Sequence, residues 1–381
     1  MLGNTFGRLF RITTCGESYG KGKGSGLAVI VDGVPSGLKI TREYIQNELD
    51  KRRPGQTPLD SPRLETDQCE IFAGLGQDGC TTGAPLGIMI YNVDTQQIHI
   101  DQYAEYKDLI RPGHAEYTFF TKYGEYTDWC GAGRASGRES VGRVAGGAVA
   151  KYILEQENIE VIGFTQHAMG VTAKDMTFEE IKKNYRKNDI NCPDPDAAEK
   201  MIAKVLKAKD EGDTAGGITE IRVKGIPAGL GEPVFDKISS LLAYAICSIG
   251  AVKGIEFGAG FKVGDMKGSE CNDEPYLDEN NNVRFKTNHS GGVLGGISNG
   301  EEIVMRVAVK PTPTISKPQG SINMKEMKEE VLSPITRRDP TLLGRWYPVG
   351  EAMTACVVLD ALMMARGYDS ICHFENKWKQ I

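Results

Sequence analysis

Arg134, Arg138 and Arg143, interleaved with Gly131, Gly133 and Gly137, surround the start of a helix built of small residues. Their spacings of four and five put three guanidinium groups near one end and broadly one side of a helix start. Phosphate or carboxylate ligands suit such a place, because planar N–H forks and helix N-termini both bind anions. Arg52, Arg53 and Arg63 flank a proline-rich loop, and Arg111 stands close to His114 in Arg111-Pro112-Gly113-His114. An imidazole there can donate to an anionic ligand near neutral pH. The acids Glu116, Glu125 and Asp128 offer the plainer alternative of a solvated basic face held in ordinary ion pairs.

Arg337-Arg338-Asp339-Pro340, with Arg345 and Trp346 soon after, sets a carboxylate among cations. The arginines keep Asp339 ionised, so it works as a base only where burial offsets them. Asp before Pro is equally an ordinary turn device. The glycine- and lysine-rich run 16–26 follows a strand and could cradle a phosphate through backbone N–H groups. A strand pattern follows Gly26, however, where a dinucleotide fingerprint requires a helix, so the run reads as a flexible loop beside a site. Lys310-Pro311-Thr312-Pro313-Thr314 presents a cation and two hydroxyls at a strand exit.

The elements that must carry these groups are those of an α/β fold. Alternation predicts strands at 9–14, 27–31, 69–73, 86–91, 218–223 and 302–309. Helices are predicted from a Thr41 cap to about Lys51, over about 139–157, 177–185, 196–209 and 233–249, and over 351–366. The polar, lysine-rich stretch 170–214 reads as peripheral. Gly33-Val34-Pro35-Ser36-Gly37-Leu38 and Gly225-Ile226-Pro227-Ala228-Gly229-Leu230 each join a strand to a helix, so two related halves are one reading and a turn motif used twice the other. No low-complexity linker separates the halves, and 1–381 is read as one α/β domain with mixed sheets.

Composition narrows the function. The chain has 381 residues, 45 Lys+Arg against 51 Asp+Glu, and 40% hydrophobic residues. A net charge of −6 argues against nucleic acid or an anionic membrane as the main partner. Nine scattered cysteines without a C-x-x-C pair fit neither a disulfide framework nor a zinc ribbon, and buried reduced thiols are expected. With neither a secretory leader pattern nor an uncharged apolar run of bilayer length, a soluble cytoplasmic protein is expected.

The order of the motifs resembles one family. Gly16-Glu17-Ser18, Lys51-Arg52-Arg53-Pro54-Gly55-Gln56, Thr81-Thr82-Gly83, Arg111-Pro112-Gly113-His114-Ala115, Gly133-Arg134-Ala135-Ser136-Gly137-Arg138-Glu139, Gly229-Leu230-Gly231-Glu232-Pro233-Val234-Phe235, Gly295-Gly296-Ile297-Ser298-Asn299-Gly300, Lys310-Pro311-Thr312 and Arg337-x-Asp339-Pro340 follow one another as in the chorismate synthases, from residue 1 to about 367. The resemblance implies a β-α-β sandwich, a homotetramer, and a carbon–oxygen lyase. Its reaction would be the reduced-FMN-dependent anti 1,4-elimination of phosphate from 5-enolpyruvylshikimate 3-phosphate, the last step of the shikimate pathway that feeds aromatic amino acid biosynthesis. Nothing reads as a built-in NAD(P)H:flavin reductase, so an external reductase or reductant is implied.

Carried over by position, Arg134, Ala135, Ser136, Gly250, Ala251, Gly295, Lys310, Pro311, Thr312, Pro313, Thr314 and Arg337 would contact FMN. Arg52, Arg53, Arg111, Arg138 and Arg345 would hold the substrate anions, His114 would stabilise the reduced flavin ring, and Asp339 would assist removal of the substrate's ring proton. The family's Gly-Glu-Ser-His-Gly is here Gly16-Glu17-Ser18-Tyr19-Gly20, so a phenol stands where the resemblance expects the histidine that protonates the departing phosphate. About four extra residues follow within 21–25, and Lys21 and Lys23 could bring replacement charge. Arg338, Trp346 and Pro58 are further departures. Two alternatives follow from them: a paralogue using reduced FMN on a related cyclic anion, and a weakly active flavin-binding member.

Overall fold

The computed structural model describes residues 3–19, 25–61, 63, 65–93, 96–333 and 339–366. Arg337, Arg338, Lys21, Lys23 and Cys372 lie outside these. Ten strands make two five-stranded sheets. The first is ordered β1 (Thr5–Phe6), β2 (Arg11–Gly16), β3 (Gly26–Asp32), β5 (Leu86–Tyr91), β4 (Cys69–Ala73). The second is ordered β7 (Val171–Thr172), β6 (Glu160–Ala168), β8 (Gly217–Lys224), β14 (Ile303–Val309), β9 (Val252–Phe257). The remaining strands form hairpins: β10 (Pro275–Leu277) with β11 (Val283–Phe285), β12 (Val293–Leu294) with β13 (Ile297–Ser298), and β15 (Gln319–Asn323) with β16 (Lys328–Leu332). All sheet pairings are antiparallel.

Between the sheets lie α1 (Arg42–Arg52), α4 (Ser140–Gln156), α7 (Ile238–Cys247) and α9 (Leu343–Ala365). Outside that layer are α2 (Gln97–Tyr106), α3 (Glu116–Tyr123), α5 (Phe178–Asn184), α6 (Pro195–Asp210) and the single turn α8 (Gly268–Cys271). The result is a β-α-β sandwich with one main hydrophobic core running from Phe10 to Ala365. The glycines of α4 serve backbone approach. A Cβ on Gly147 would sit 2.3 Å from that of Ala352 on α9, and one on Gly146 would sit 2.7 Å from Ile12 Cγ2 on β2.

The two halves thread their sheets alike, with β2-β3-β5-β4 matched by β6-β8-β14-β9. The turns after β3 and β8 also share a geometry that only glycine tolerates. Gly33 has φ 79° and Gly225 φ 81°, and a side chain on either would strike a carbonyl oxygen, of Leu9 at 1.8 Å and of Asn158 at 2.1 Å.

Several expectations need correction. The helix expected over 351–366 begins at Leu343. Pro348 is tolerated inside it because the carbonyl its missing N–H leaves unpaired, that of Gly344, accepts from Asn191 Nδ2 at 3.4 Å. This helix is long and apolar enough to span a bilayer, but it fills the centre of the core. The stretch 170–214 is not wholly peripheral, since α6 inserts Ala197, Met201 and Val205 into the main core. Strands β6 and β9 had no sequence counterpart. Of the described cysteines, all unpaired, Cys69, Cys130, Cys192 and Cys356 are buried while Cys15 and Cys247 are exposed.

A buried ionic cluster ties the helical layer together. Lys151 on α4 donates to Glu48 Oε2 on α1 at 2.9 Å and to Glu351 Oε2 on α9 at 2.7 Å, and Glu351 Oε1 accepts the Gly163 N–H of β6 at 2.7 Å. Burial by itself would raise the Glu48 carboxyl, but Lys151 and Lys51 outweigh it and hold the group at about 2. A depressed carboxylate stabilises fully above its unfolded value, about 4.3, and that contribution disappears as pH falls toward 2. Glu48→Gln is therefore expected to lower the urea midpoint at pH 7 but not near pH 2. Midpoints of the two proteins that stay equally far apart across that acid range would refute the assignment.

Candidate active site

The C-terminal ends of α1 and α7 and the N-terminal ends of α4 and α9 meet at one end of the sandwich. They open there onto a cavity of about 1140 Å³, walled on its outer side by α2 and α3, neither of which has a buried residue. Pockets for one drug-sized ligand occupy roughly 300–1,000 Å³, so this one lies just above the top of that range.

Arg52 and Arg138, both almost fully buried on its wall, share a single carboxylate. Asp67 accepts from Arg52 Nη1 at Oδ2, at 2.7 Å, and from Arg138 Nη1 at Oδ1. Arg138 spends its other donors on Asn92 Oδ1 through Nε at 2.9 Å, on the Tyr91 carbonyl through Nη2 at 3.1 Å, and on Glu65 at 3.3 Å. Burial pushes the Arg52 guanidinium down to about 10, with Asp67 opposing. Asp67 itself is 0% exposed, and although burial pushes its carboxyl up, Arg52 and Arg138 prevail and hold it below the usual range.

Arg345 completes this corner. Its Nε donates to the Arg52 carbonyl at 3.0 Å and its Nη1 to Asp339 Oδ1 at 2.6 Å, while the Ser61 N–H reaches the same oxygen at 3.0 Å. Asp60, close by, is raised by burial despite accepting the Gln56 and Thr57 N–H groups. Across the cavity Arg111 Nε donates to Glu116 Oε1 at 2.6 Å, and His114 Nδ1 lies 3.0 Å from Glu116 Oε2. A carboxylate only accepts, so Nδ1 carries its proton toward Glu116 and Nε2 is left for a ligand. Burial raises Glu116, but the His114 hydrogen bond and the Arg111 charge win and hold it low. The Lys310 ammonium donates to the Gly113 carbonyl, fixing the turn that carries His114.

The same architecture occurs in known proteins. Residues 10–363 match the family model described as chorismate synthase. The chain belongs to the chorismate synthase family. It is 53% identical to the chorismate synthase of Acetivibrio thermocellus over the full length of both chains. Against that of Methanosarcina mazei the identity is 47% over 363 residues, covering 95% of this chain and 97% of the relative. A solved structure described as a crystal structure of chorismate synthase is 28% identical and superposes with a TM-score of 0.75, over 98% of this chain and 97% of that one. Membership makes the protein an enzyme of the carbon–oxygen lyase class.

Of the residues that the family resemblance singled out, Tyr19, Arg52, Arg111, His114, Arg134, Ala135, Ser136, Arg138, Gly250, Ala251, Lys310, Thr312, Pro313, Thr314, Asp339 and Arg345 all line this cavity. Three described residues do not. Gly295 sits at the turn of the β12–β13 hairpin, Arg53 caps α1 with its side chain 3.6 Å from Asp50, and Pro311 follows Lys310 without lining the cavity. The expected cluster of Arg134, Arg138 and Arg143 at one helix end is also corrected. Arg134 and Arg138 precede α4 in short turns and diverge, because each reaches the nearest unpaired oxygens. Arg134 goes to the Gly16 carbonyl at 3.2 Å and Thr14 Oγ1 at 2.9 Å on β2, Arg138 to Asp67, and Arg143 to Glu139 and Ser248.

Tyr19 is 2% exposed, its ring edge-on to Tyr103 at 5.4 Å and pressed against Gly131, where a Cβ would meet the ring at 2.5 Å. Trp346, also buried, donates Nε1–H to the Gly250 carbonyl at 3.3 Å. Sequence reasoning missed Asp67, Glu65 and Asn92, which fix the guanidinium groups. The available signal was Glu65-x-Asp67 at the end of an arginine-flanked loop, since buried arginines require acceptors.

Proposed function

We propose that the chain eliminates phosphate from 5-enolpyruvylshikimate 3-phosphate in an anti 1,4 sense, giving chorismate, with reduced FMN bound beside the substrate. One observation carries this reading: a single cavity lined by Arg52, Arg111, Arg138 and Arg345 for anions, by His114 and Asp339 for proton handling, and by the 310–314 segment. The residues fit a flavin. Among the described residues, Thr312 Oγ1 is buried on the wall without a partner, and nothing stands within 4 Å of a Cβ placed on Gly137 or Gly250. Arg134, Ala135, Ser136, Gly250, Ala251, Lys310, Thr312, Pro313 and Thr314 are our candidates for holding it, and Gly295, Pro311 and Arg337 are kept as contacts by the family resemblance alone. Bound there, reduced FMN supplies electron density for breaking the C–O bond without net redox change.

The protein's share is charge and position. Arg52, with Arg111, Arg138 and Arg345, draws the phosphate and two carboxylates into the cavity, and Arg53 is kept as a substrate contact by the family resemblance alone. His114, held at Nδ1 by Glu116, offers Nε2 to negative charge on the cofactor ring, and Asp339, held at Oδ1 by Arg345 and Ser61, assists removal of the ring proton. Tyr19 would donate a hydrogen bond to the leaving phosphate. The protein would act in the cytoplasm as a homotetramer supplied by an external reductant, and exposed Phe235 and Phe261, at 89% and 87%, are suited to subunit contacts.

Anaerobic assay with the enolpyruvyl phosphate and photoreduced FMN is expected to release chorismate and phosphate in equal amounts. Flavin binding without turnover would overturn the proposal. Tyr19→Phe, which keeps the ring packing, is expected to lower kcat by about tenfold or more, the worth of a hydrogen bond to a charged group. An unchanged kcat would show that the phenol only fills space.

A further inference from the structure

Helix α2 closes the outer side of the cavity without burying a residue of its own, yet it brings a second phenol to the wall. Tyr103 lies on its cavity face with His99, four residues before it, and Tyr106, three residues after, and all three line the cavity. The Tyr103 oxygen accepts from Arg63 Nη2 at 3.0 Å. A guanidinium only donates, so the single hydrogen of the phenol points away from Arg63. Among the described residues that hydrogen meets no acceptor. The ring is half-buried and stands edge-on to that of Tyr19, 5.4 Å between centroids, so two phenols face the cavity from adjoining rings.

The loop that carries Arg63 joins this pair to the guanidinium corner. The Arg63 N–H donates to Ser61 Oγ at 3.3 Å, and the Ser61 N–H donates to Asp339 Oδ1 at 3.0 Å, the oxygen that Arg345 also holds. An anion drawn to that corner therefore comes to the side of the cavity where Tyr103 presents its hydrogen.

We propose that Tyr103 is the acid that protonates the departing phosphate, with Arg63 as its positioning residue and Tyr19 a hydrogen-bond donor to the same group. The inference rests on the functional reading, which supplies the phosphate. As the C–O bond breaks, its electron pair passes to the ester oxygen, and that oxygen takes the Tyr103 proton and leaves as hydrogen phosphate. The pair of the ring C–H bond enters the new diene while Asp339 assists removal of the ring proton. One proton leaves the ring and one joins the phosphate, and solvent closes the count. The phenolate left behind faces the Arg63 guanidinium, whose charge balances it until water returns the proton.

Anaerobic kcat and KM for the enolpyruvyl phosphate are to be measured for wild type, for Tyr103→Phe, and for Tyr103→Phe combined with Tyr19→His. Phenylalanine keeps the ring contact with Tyr19, and α2 has no buried residue, so folding should be unaffected. Tyr103→Phe is expected to lower kcat by about tenfold or more, the worth of a hydrogen bond to a charged group. KM should stay within about threefold, because the ester oxygen carries little charge before the bond breaks. Adding Tyr19→His sets an imidazole, a proton donor near neutral pH, beside the same ring and should recover about fivefold of the lost kcat. A kcat within about twofold of wild type, a loss that Tyr19→His does not recover, or a loss carried by KM overturns the proposal. Arg63→Met should slow the wild type yet add little to Tyr103→Phe, since a positioning residue acts through the group it positions, and fully additive losses would overturn its part. Wild-type protein that turns nothing over sinks the functional reading instead. Calorimetry with inorganic phosphate then tests Tyr103 by itself: affinity about fivefold weaker in Tyr103→Phe supports a phosphate-facing phenol, and equal affinity overturns it.

Discussion

Asp67→Asn is expected to destabilise the protein by about 3 kcal/mol or more at pH 7, the range for breaking a buried ion pair on one side only. Asparagine tolerates the left-handed backbone at this position, φ 49°, so the substitution removes charge with little added strain. One carboxylate now balances two buried guanidinium groups. The amide would accept from one of them and turn its own N–H donors on the other. Urea denaturation checks the stability. Because the Asp67 carboxyl is held below its ordinary value, the difference between the proteins should shrink as pH falls below about 4. Activity should fall with stability, since Arg345 is tied to Arg52 through its carbonyl and the displacement of one guanidinium moves the other. A loss under about 1 kcal/mol would mean that water enters and neutralises the bracket in place of Asp67.

His114→Ala is expected to lower kcat by about a hundredfold or more, the usual contribution of a positioned proton donor or acceptor. The imidazole is partly exposed, and Arg111 keeps its own bond to Glu116, so folding should be unaffected. FMN affinity should change far less than kcat if His114 acts on charge that develops during the reaction and not on binding. Anaerobic turnover with flavin titration separates the two quantities. A variant with kcat near wild type and weakened FMN binding would make His114 a binding residue only. Glu116→Gln should fall between the two, because it removes the charge that orients Nδ1 while leaving the ring in place.

Much of the scaffold was legible because local chemistry specifies it. Thr41 caps α1 by accepting the Tyr44 N–H, and strands β4 and β5 lie where alternation put them. The helix of small residues became α4, with its glycines against β2 and α9 as steric reasoning requires. Where the sequence misled, a distant partner had intervened. Pro348 reads as a helix breaker until Asn191 takes up the carbonyl it frees. The lysines of α6 hide an apolar face that packs into the core.

The sequence alone determined the family, many of the strand segments and most of the candidate residues that the cavity gathers, because motif order and residue type are written along the chain. Only the tertiary structure decided which cations are already neutralised. Arg138, which reads as a free anion ligand, is already paired with Asp67 and Glu65 and bonded to Asn92, whereas among the described residues Lys253 and Lys310 stand together without an acid. Electrostatic pairing depends on distances of a few ångströms between residues dozens to hundreds of positions apart, and spacing along the chain does not encode those distances.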